Sequence, residues 1–135
     1  MKKGFIAGNF DVIHPGYVEL FKSMNKNCDQ QYILLHDDPT IERPEKSKPI
    51  LSISERREIL NYFFDNPVIL SYNTEAELLF LIESIDPDLR FLGDDYADSS
   101  FTGDDLYIPI KWVDRGHGWS TSKFKSLISN SSNDS

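Results

Sequence analysis

The sequence predicts an α/β protein built on a five-stranded parallel sheet. Two observations carry this. Short apolar, β-prone runs alternate along the chain with segments whose apolar residues recur at helical spacing. Polar loops rich in Gly, Pro and Asp follow the first, second, fourth and fifth of those runs, so they gather at the carboxyl edge of one sheet.

Gly4-Phe5-Ile6-Ala7 is the first buried strand. A glycine turn follows, and a helix starts near Pro15, where a missing N–H costs nothing, with Val18, Leu20, Phe21 and Met24 at helical spacing. Gln31-Tyr32-Ile33-Leu34-Leu35 is the second strand, and Glu42 to Pro49 is a polar loop long enough to suggest function. Ser52-Ile53-Ser54-Glu55 has capping-box spacing and opens a helix through Ile59, Leu60, Phe63 and Phe64. Pro67-Val68-Ile69-Leu70 is the third strand. Thr74-Glu75-Ala76-Glu77 caps a third helix with Leu78, Leu81, Ile82 and Ile85 on one face, and Asp86-Pro87-Asp88 stops it. Leu89-Arg90-Phe91-Leu92 is the fourth strand. Tyr107 to Val113 is the fifth, and Pro109 within it indicates an edge position or a bulge. Ser120 caps a last helix with Phe124, Leu127 and Ile128 inward. One domain over residues 1–129 and a polar tail over 130–135 complete the reading.

Composition narrows the function classes. A net charge of −8 argues against a nucleic-acid-binding surface, and the chain contains no apolar run long enough to span a membrane. The apolar stretch after Met1-Lys2-Lys3 is too short for a signal peptide. The single Cys28 excludes an intramolecular disulfide and has no partner for a cysteine metal site, which fits a reducing cytoplasm.

The stretch from Gly8 to Tyr17 carries the chemistry. Free N–H groups and the dipole at the start of the first helix suit a phosphate, and His14 adds a hydrogen bond or a charge at the same entrance. A structural role, as a helix-start histidine, is the weaker alternative. Asp11 either braces the turn or takes part in the site. Lys46, ahead of Lys48, is the better candidate cation in the long loop, and Arg56 opposes the dipole of its helix unless an anion compensates. Arg57 reads as a surface residue paired with a glutamate, and His36 as structural. Arg115 with Ser120-Thr121-Ser122 at another helix start suits a second phosphate, although Ser120 alone would read as an ordinary cap.

Gly8-Asn9-Phe10-Asp11 followed by His14-Pro15-Gly16-Tyr17 resembles the G-x-F-D-x-x-H-x-G-H motif of the cytidylyltransferase-like nucleotidyltransferases, with Tyr17 in place of the second histidine. Gly93-Asp94-Asp95-Tyr96 resembles the G-D-D-W of the glycerol-3-phosphate cytidylyltransferases, and Arg115 to Ser122 their R-T-E-G-I-S-T-S/T stretch, with departures at Gly116, His117 and Trp119. The resemblance implies a three-layer Rossmann-like, HUP-type fold. It implies transfer of CMP from CTP to a small phosphorylated alcohol such as glycerol 3-phosphate, with Mg²⁺ accompanying the triphosphate and pyrophosphate released. His14, Tyr17, Lys46 and Arg115 are then the catalytic set. Gly8, Asn9, Phe10, Asp11, Gly16, Arg56, Gly93, Asp94, Asp95, Tyr96, Ser120, Thr121 and Ser122 bind the nucleotide, and no residue is a dedicated metal ligand. A homodimer is implied as well, with Tyr107, Trp112 and Trp119 as candidate interface aromatics. Two alternatives stand beside this reading. One is an adenylyltransferase acting on a sugar phosphate or a pantetheine-like phosphate. The other is a nucleotide-binding relative that Tyr17 has disarmed.

Overall fold

The computed structural model describes residues 1–114 and 125–129, the side chain of Asp95 excepted. Five parallel strands, β1 (Lys3–Gly8), β2 (Gln30–His36), β3 (Val68–Tyr72), β4 (Leu89–Gly93) and β5 (Ile110–Val113), form one sheet in the order β3-β2-β1-β4-β5. The helices are α1 (Pro15–Asn27), α2 (Ile53–Asn61) and α3 (Glu75–Ile85). The chain winds outward from β1 through β2 to β3, then returns to the other side of β1 for β4 and β5. The winding reverses between β1 and β4, the place where open parallel sheets bind ligands.

Side-chain alternation sends each strand's residues into two cores, as expected when helices cover both faces. Ile6, Ile33, Leu35 and Phe91 join Phe21, Met24 and Leu60 on the side of α1 and α2. Phe5 and Leu34 join Leu78, Ile82 and Ile85 on the side of α3. The close fit of the α1 end to β1 needs Gly4, since a Cβ there would lie 2.7 Å from Cys28 Sγ.

Caps set the helix starts as the sequence predicts. Ser52 and Glu55 exchange both capping-box hydrogen bonds, and the Thr74 hydroxyl accepts from the Glu77 amide. Asp86 ends α3 in the left-handed region (φ 51°), so the stop is a backbone turn one residue before the proline. Residues 125–129 are helical, but Leu127 and Ile128 are 48% and 51% exposed rather than inward. Within residues 125–129, Lys125 reaches inward, to Asp11; Phe124 lies outside the described residues.

Candidate active site

The chain leaves β1 at Gly8 and turns through Phe10, whose left-handed backbone (φ 48°) re-aims the main chain toward α1. His14 is the N-cap of α1, and its Nδ1 accepts the Gly16 amide at 3.1 Å. A ring nitrogen that accepts cannot carry the proton. The neutral imidazole therefore carries it on Nε2, as a donor at the helix start. Tyr17, one turn along, stacks on this imidazole with ring centres 4.2 Å apart and planes 21° from parallel. Phe10 and Phe21 hold Tyr17 in turn, at 5.3 Å and 6.0 Å. The residue that departs from the family motif is thus the platform under the histidine.

Two chambers open at the carboxyl ends of β1 and β4. The smaller, about 220 Å³, is lined by His14, Gly16, Tyr17 and Gly93 among others. The larger, about 650 Å³, is lined by Asn9, Arg43, Lys46, Glu75 and Arg90 among others. Ala7, Gly8, Leu92 and Tyr96 belong to both, so the chambers share a wall at the point where the winding reverses. A side chain on Gly8 would crowd this junction, since its Cβ would sit 3.3 Å from the Phe10 ring.

Two residues expected at the nucleotide act instead as braces. The Asp11 carboxylate is buried and accepts the amides of Ile50 (2.8 Å) and Leu51 (2.9 Å) together with the Lys125 ammonium. Burial pushes its pKa up, but Lys125 and the two amides outweigh burial and hold it below the ordinary carboxylate value. Arg56 is 2% exposed. Its guanidinium donates to the carbonyls of Leu51 (3.2 Å), Asn9 (3.1 Å), His36 (2.7 Å) and Asp37 (2.7 Å), with the Asp37 carboxylate 3.7 Å away. The sequence reading gave this cation to the triphosphate. The structure spends it on tying the ends of β1 and β2 to the start of α2, a use that also offsets its burial. Arg57 likewise donates to a carbonyl, that of Ile69 in the edge strand, at 2.8 Å.

Asp11 makes stability depend on acid in a set direction. Because the folded-state pKa lies below the unfolded one, its contribution is complete above the unfolded value, about 4, and is lost as pH falls through the folded value. Asp11→Asn is expected to lower the denaturation midpoint at pH 7 and to flatten its decline below about pH 4. Urea unfolding followed at a series of pH values checks both.

The remaining expected residues divide between the chambers. Lys46 lines the larger one, separate from His14 in the smaller, and Lys48 lines neither. Gly93 and Tyr96 frame the smaller chamber, while Asp94 is exposed in the short turn Asp94–Tyr96. His36 Nε2–H donates to the Asn73 carbonyl (3.1 Å), and the ring stacks on Tyr72. Arg115, Ser120, Thr121 and Ser122 lie outside the described residues, as do His117 and Trp119. Sequence reasoning passed over Arg43, Tyr72, Glu75, Arg90 and Thr102, all of which line the larger chamber. Burial first, and the charge of Glu75 second, push the Tyr72 phenol above its ordinary value, so it is neutral there. The one available signal was Arg90, a charge within a buried strand. Among the described residues no three His, Cys, Asp or Glu side chains converge on a metal position.

Residues 5–131 match the Cytidylyltransferase-like family. The chain belongs to that family. Its α/β architecture, built on the five-stranded parallel sheet described above, is of the HUP type. The bifunctional protein HldE of Campylobacter jejuni is 30% identical over 122 residues, a stretch that covers 88% of this chain and 26% of the relative. This family member therefore spans about a quarter of that protein. The crystal structure of the lipopolysaccharide core biosynthesis protein from Thermoplasma volcanium superposes with a TM-score of 0.63 at 23% identity, covering 84% of this chain and 95% of that one. A pantoate-beta-alanine ligase from Francisella tularensis, solved with beta-gamma ATP and beta-alanine, superposes with a TM-score of 0.56 at 12% identity, covering 92% and 67%. No helix among the described residues is long and apolar enough to cross a membrane.

Proposed function

We propose that this chain is a nucleotidyltransferase that transfers a nucleoside monophosphate, with ATP as the donor, to a sugar phosphate. The observation that carries the reading is the shared wall between a histidine-capped helix start and a roomy chamber of mixed charge. The smaller chamber takes the α-phosphate against the α1 N-terminus. The larger takes the phosphorylated acceptor, with Arg43 and Lys46 at its phosphate. An acceptor phosphate oxygen attacks the α-phosphorus, the bond to the bridging oxygen of the β-phosphate breaks, and pyrophosphate leaves. His14 Nε2–H donates to the α-phosphate oxygen where charge builds, and main-chain N–H groups of α1 assist. Arg115 and the hydroxyls of Ser120, Thr121 and Ser122 are assigned to the triphosphate. Mg²⁺ would accompany the nucleoside triphosphate and offset its charge.

The likeness to HldE supports adenylyl transfer to a sugar phosphate. Transfer of CMP from CTP to glycerol 3-phosphate is the second reading, favoured by the likeness of Gly93 to Tyr96 to the cytidylyltransferase segment. We also propose a homodimer, for which the exposed Tyr107 and Trp112 beside the sheet edge offer contact surface.

The test is pyrophosphate release with Mg²⁺ and either ATP or CTP, each paired with sugar 1-phosphates, glycerol 3-phosphate and 4′-phosphopantetheine. Turnover with ATP and a sugar phosphate is expected. Turnover confined to CTP and glycerol 3-phosphate would replace this reading with the second. Nucleotide binding without pyrophosphate from any pair would leave a disarmed relative.

A further inference from the structure

Arg90 is the second residue of β4, on the face covered by α3, and is 5% exposed. A cation buried among apolar neighbours is costly unless its donors are met. Here they are met in part. Nη1 donates to the Thr102 carbonyl, and the guanidinium lies between the Phe5 and Phe101 rings, 5.1 Å and 5.0 Å from their centres. Nε has no hydrogen-bond partner among the described residues, although the side chain lines the larger chamber. Thr102 turns its hydroxyl the other way, donating to Glu75 Oε2 at 2.6 Å. One residue therefore fixes both a guanidinium and a carboxylate in the same chamber wall. A carboxylate has about four lone-pair positions, and this hydrogen bond uses one.

That pair constrains what it can bind. A phosphate would suit Arg90 but meet the negative charges of Glu75 and Asp104, which line the same chamber. An alkyl chain would offer neither the guanidinium nor the carboxylate's open lone pairs a partner. A hydroxyl satisfies both, accepting from the guanidinium and donating to the carboxylate. We propose that Arg90 and Glu75 form a hydroxyl-reading pair that selects a polyhydroxylated acceptor over an alkyl phosphate. The inference rests on the larger chamber being the acceptor site. The two Phe faces and Thr102 pre-set the pair, so discrimination costs little ordering on binding.

The test compares kcat/KM for a sugar phosphate with that for its deoxy analogues, one hydroxyl removed at a time, in the wild type and in Glu75→Gln. The wild type is expected to disfavour one analogue by about 10²-fold or more, since a site built to bind a hydroxyl strongly rejects its absence. In Glu75→Gln that ratio is expected to fall to about tenfold or less, a change in selectivity that a merely structural role would not produce. Arg90→Met should collapse the same ratio at the same position. Should that variant not fold, the Glu75 comparison decides. Pyrophosphate release with equal ratios in wild type and Glu75→Gln, or with no analogue disfavoured, overturns the pair and leaves the acceptor reading standing. If no sugar phosphate yields pyrophosphate with either nucleotide, the acceptor reading fails and the pair with it.

Discussion

Replacing His14 by Asn is expected to lower kcat for pyrophosphate release by about 10²–10³-fold while the melting temperature stays within a few degrees. The choice of Asn separates two roles that His14 combines. As N-cap it accepts the Gly16 amide, and Asn is among the best capping residues, so α1 keeps its start. What Asn cannot supply is an imidazole N–H stacked on Tyr17, at the helix dipole's positive end, where the α-phosphate is proposed to gather charge. His14→Ala should show the same kinetic loss plus about 1 kcal/mol of stability from the lost cap. Steady-state kinetics with a pyrophosphate-coupled assay, alongside calorimetry on the same preparations, reads both. A variant with unimpaired kcat would reduce His14 to a cap.

Arg56→Met is expected to cost about 3–5 kcal/mol of folding stability, lowering the melting temperature by about 10 °C or more. The side chain fits the same space and removes the charge, but the carbonyls of Asn9, His36, Asp37 and Leu51 lose their shared donor. Hydrogen bonds from a charged group contribute about 1.5–3 kcal/mol each, and water entering the site offsets part of the sum. Arg56→Lys should recover little, because an ammonium cannot span four acceptors set around a planar fork. The measurement is ligand-free thermal unfolding. A phosphate grip would behave oppositely, with unchanged melting and a raised KM for the nucleotide.

These two residues show where the sequence was legible and where it was not. Strands and helices follow from alternation and 3.6-residue spacing, and the Ser52 box and Pro15 mark helix starts in local chemistry that needs no tertiary information. His14 was legible as a helix-start residue for the same reason, since its capping contact is to Gly16, two positions away. Arg56 was not. An arginine in a first helical turn reads identically whether it faces solvent or four carbonyls contributed from up to 47 positions away. Asp11 is similar, its partners being Ile50, Leu51 and Lys125. Arg90 and Glu75 meet through Thr102, which neither adjoins in sequence, so only the fold brings them into one wall. Leu127 and Ile128 failed as core residues because helical spacing identifies a face but not whether anything covers it.

The common wall of the two chambers bears on how the enzyme turns over. With Ala7, Gly8, Leu92 and Tyr96 bounding both, the proposed reading predicts direct transfer between substrates held in neighbouring chambers. A relay through a covalently charged protein would require one half-reaction to finish before the second substrate entered. Direct transfer under the proposed function instead predicts a ternary complex, read as intersecting rather than parallel double-reciprocal lines in initial-rate kinetics.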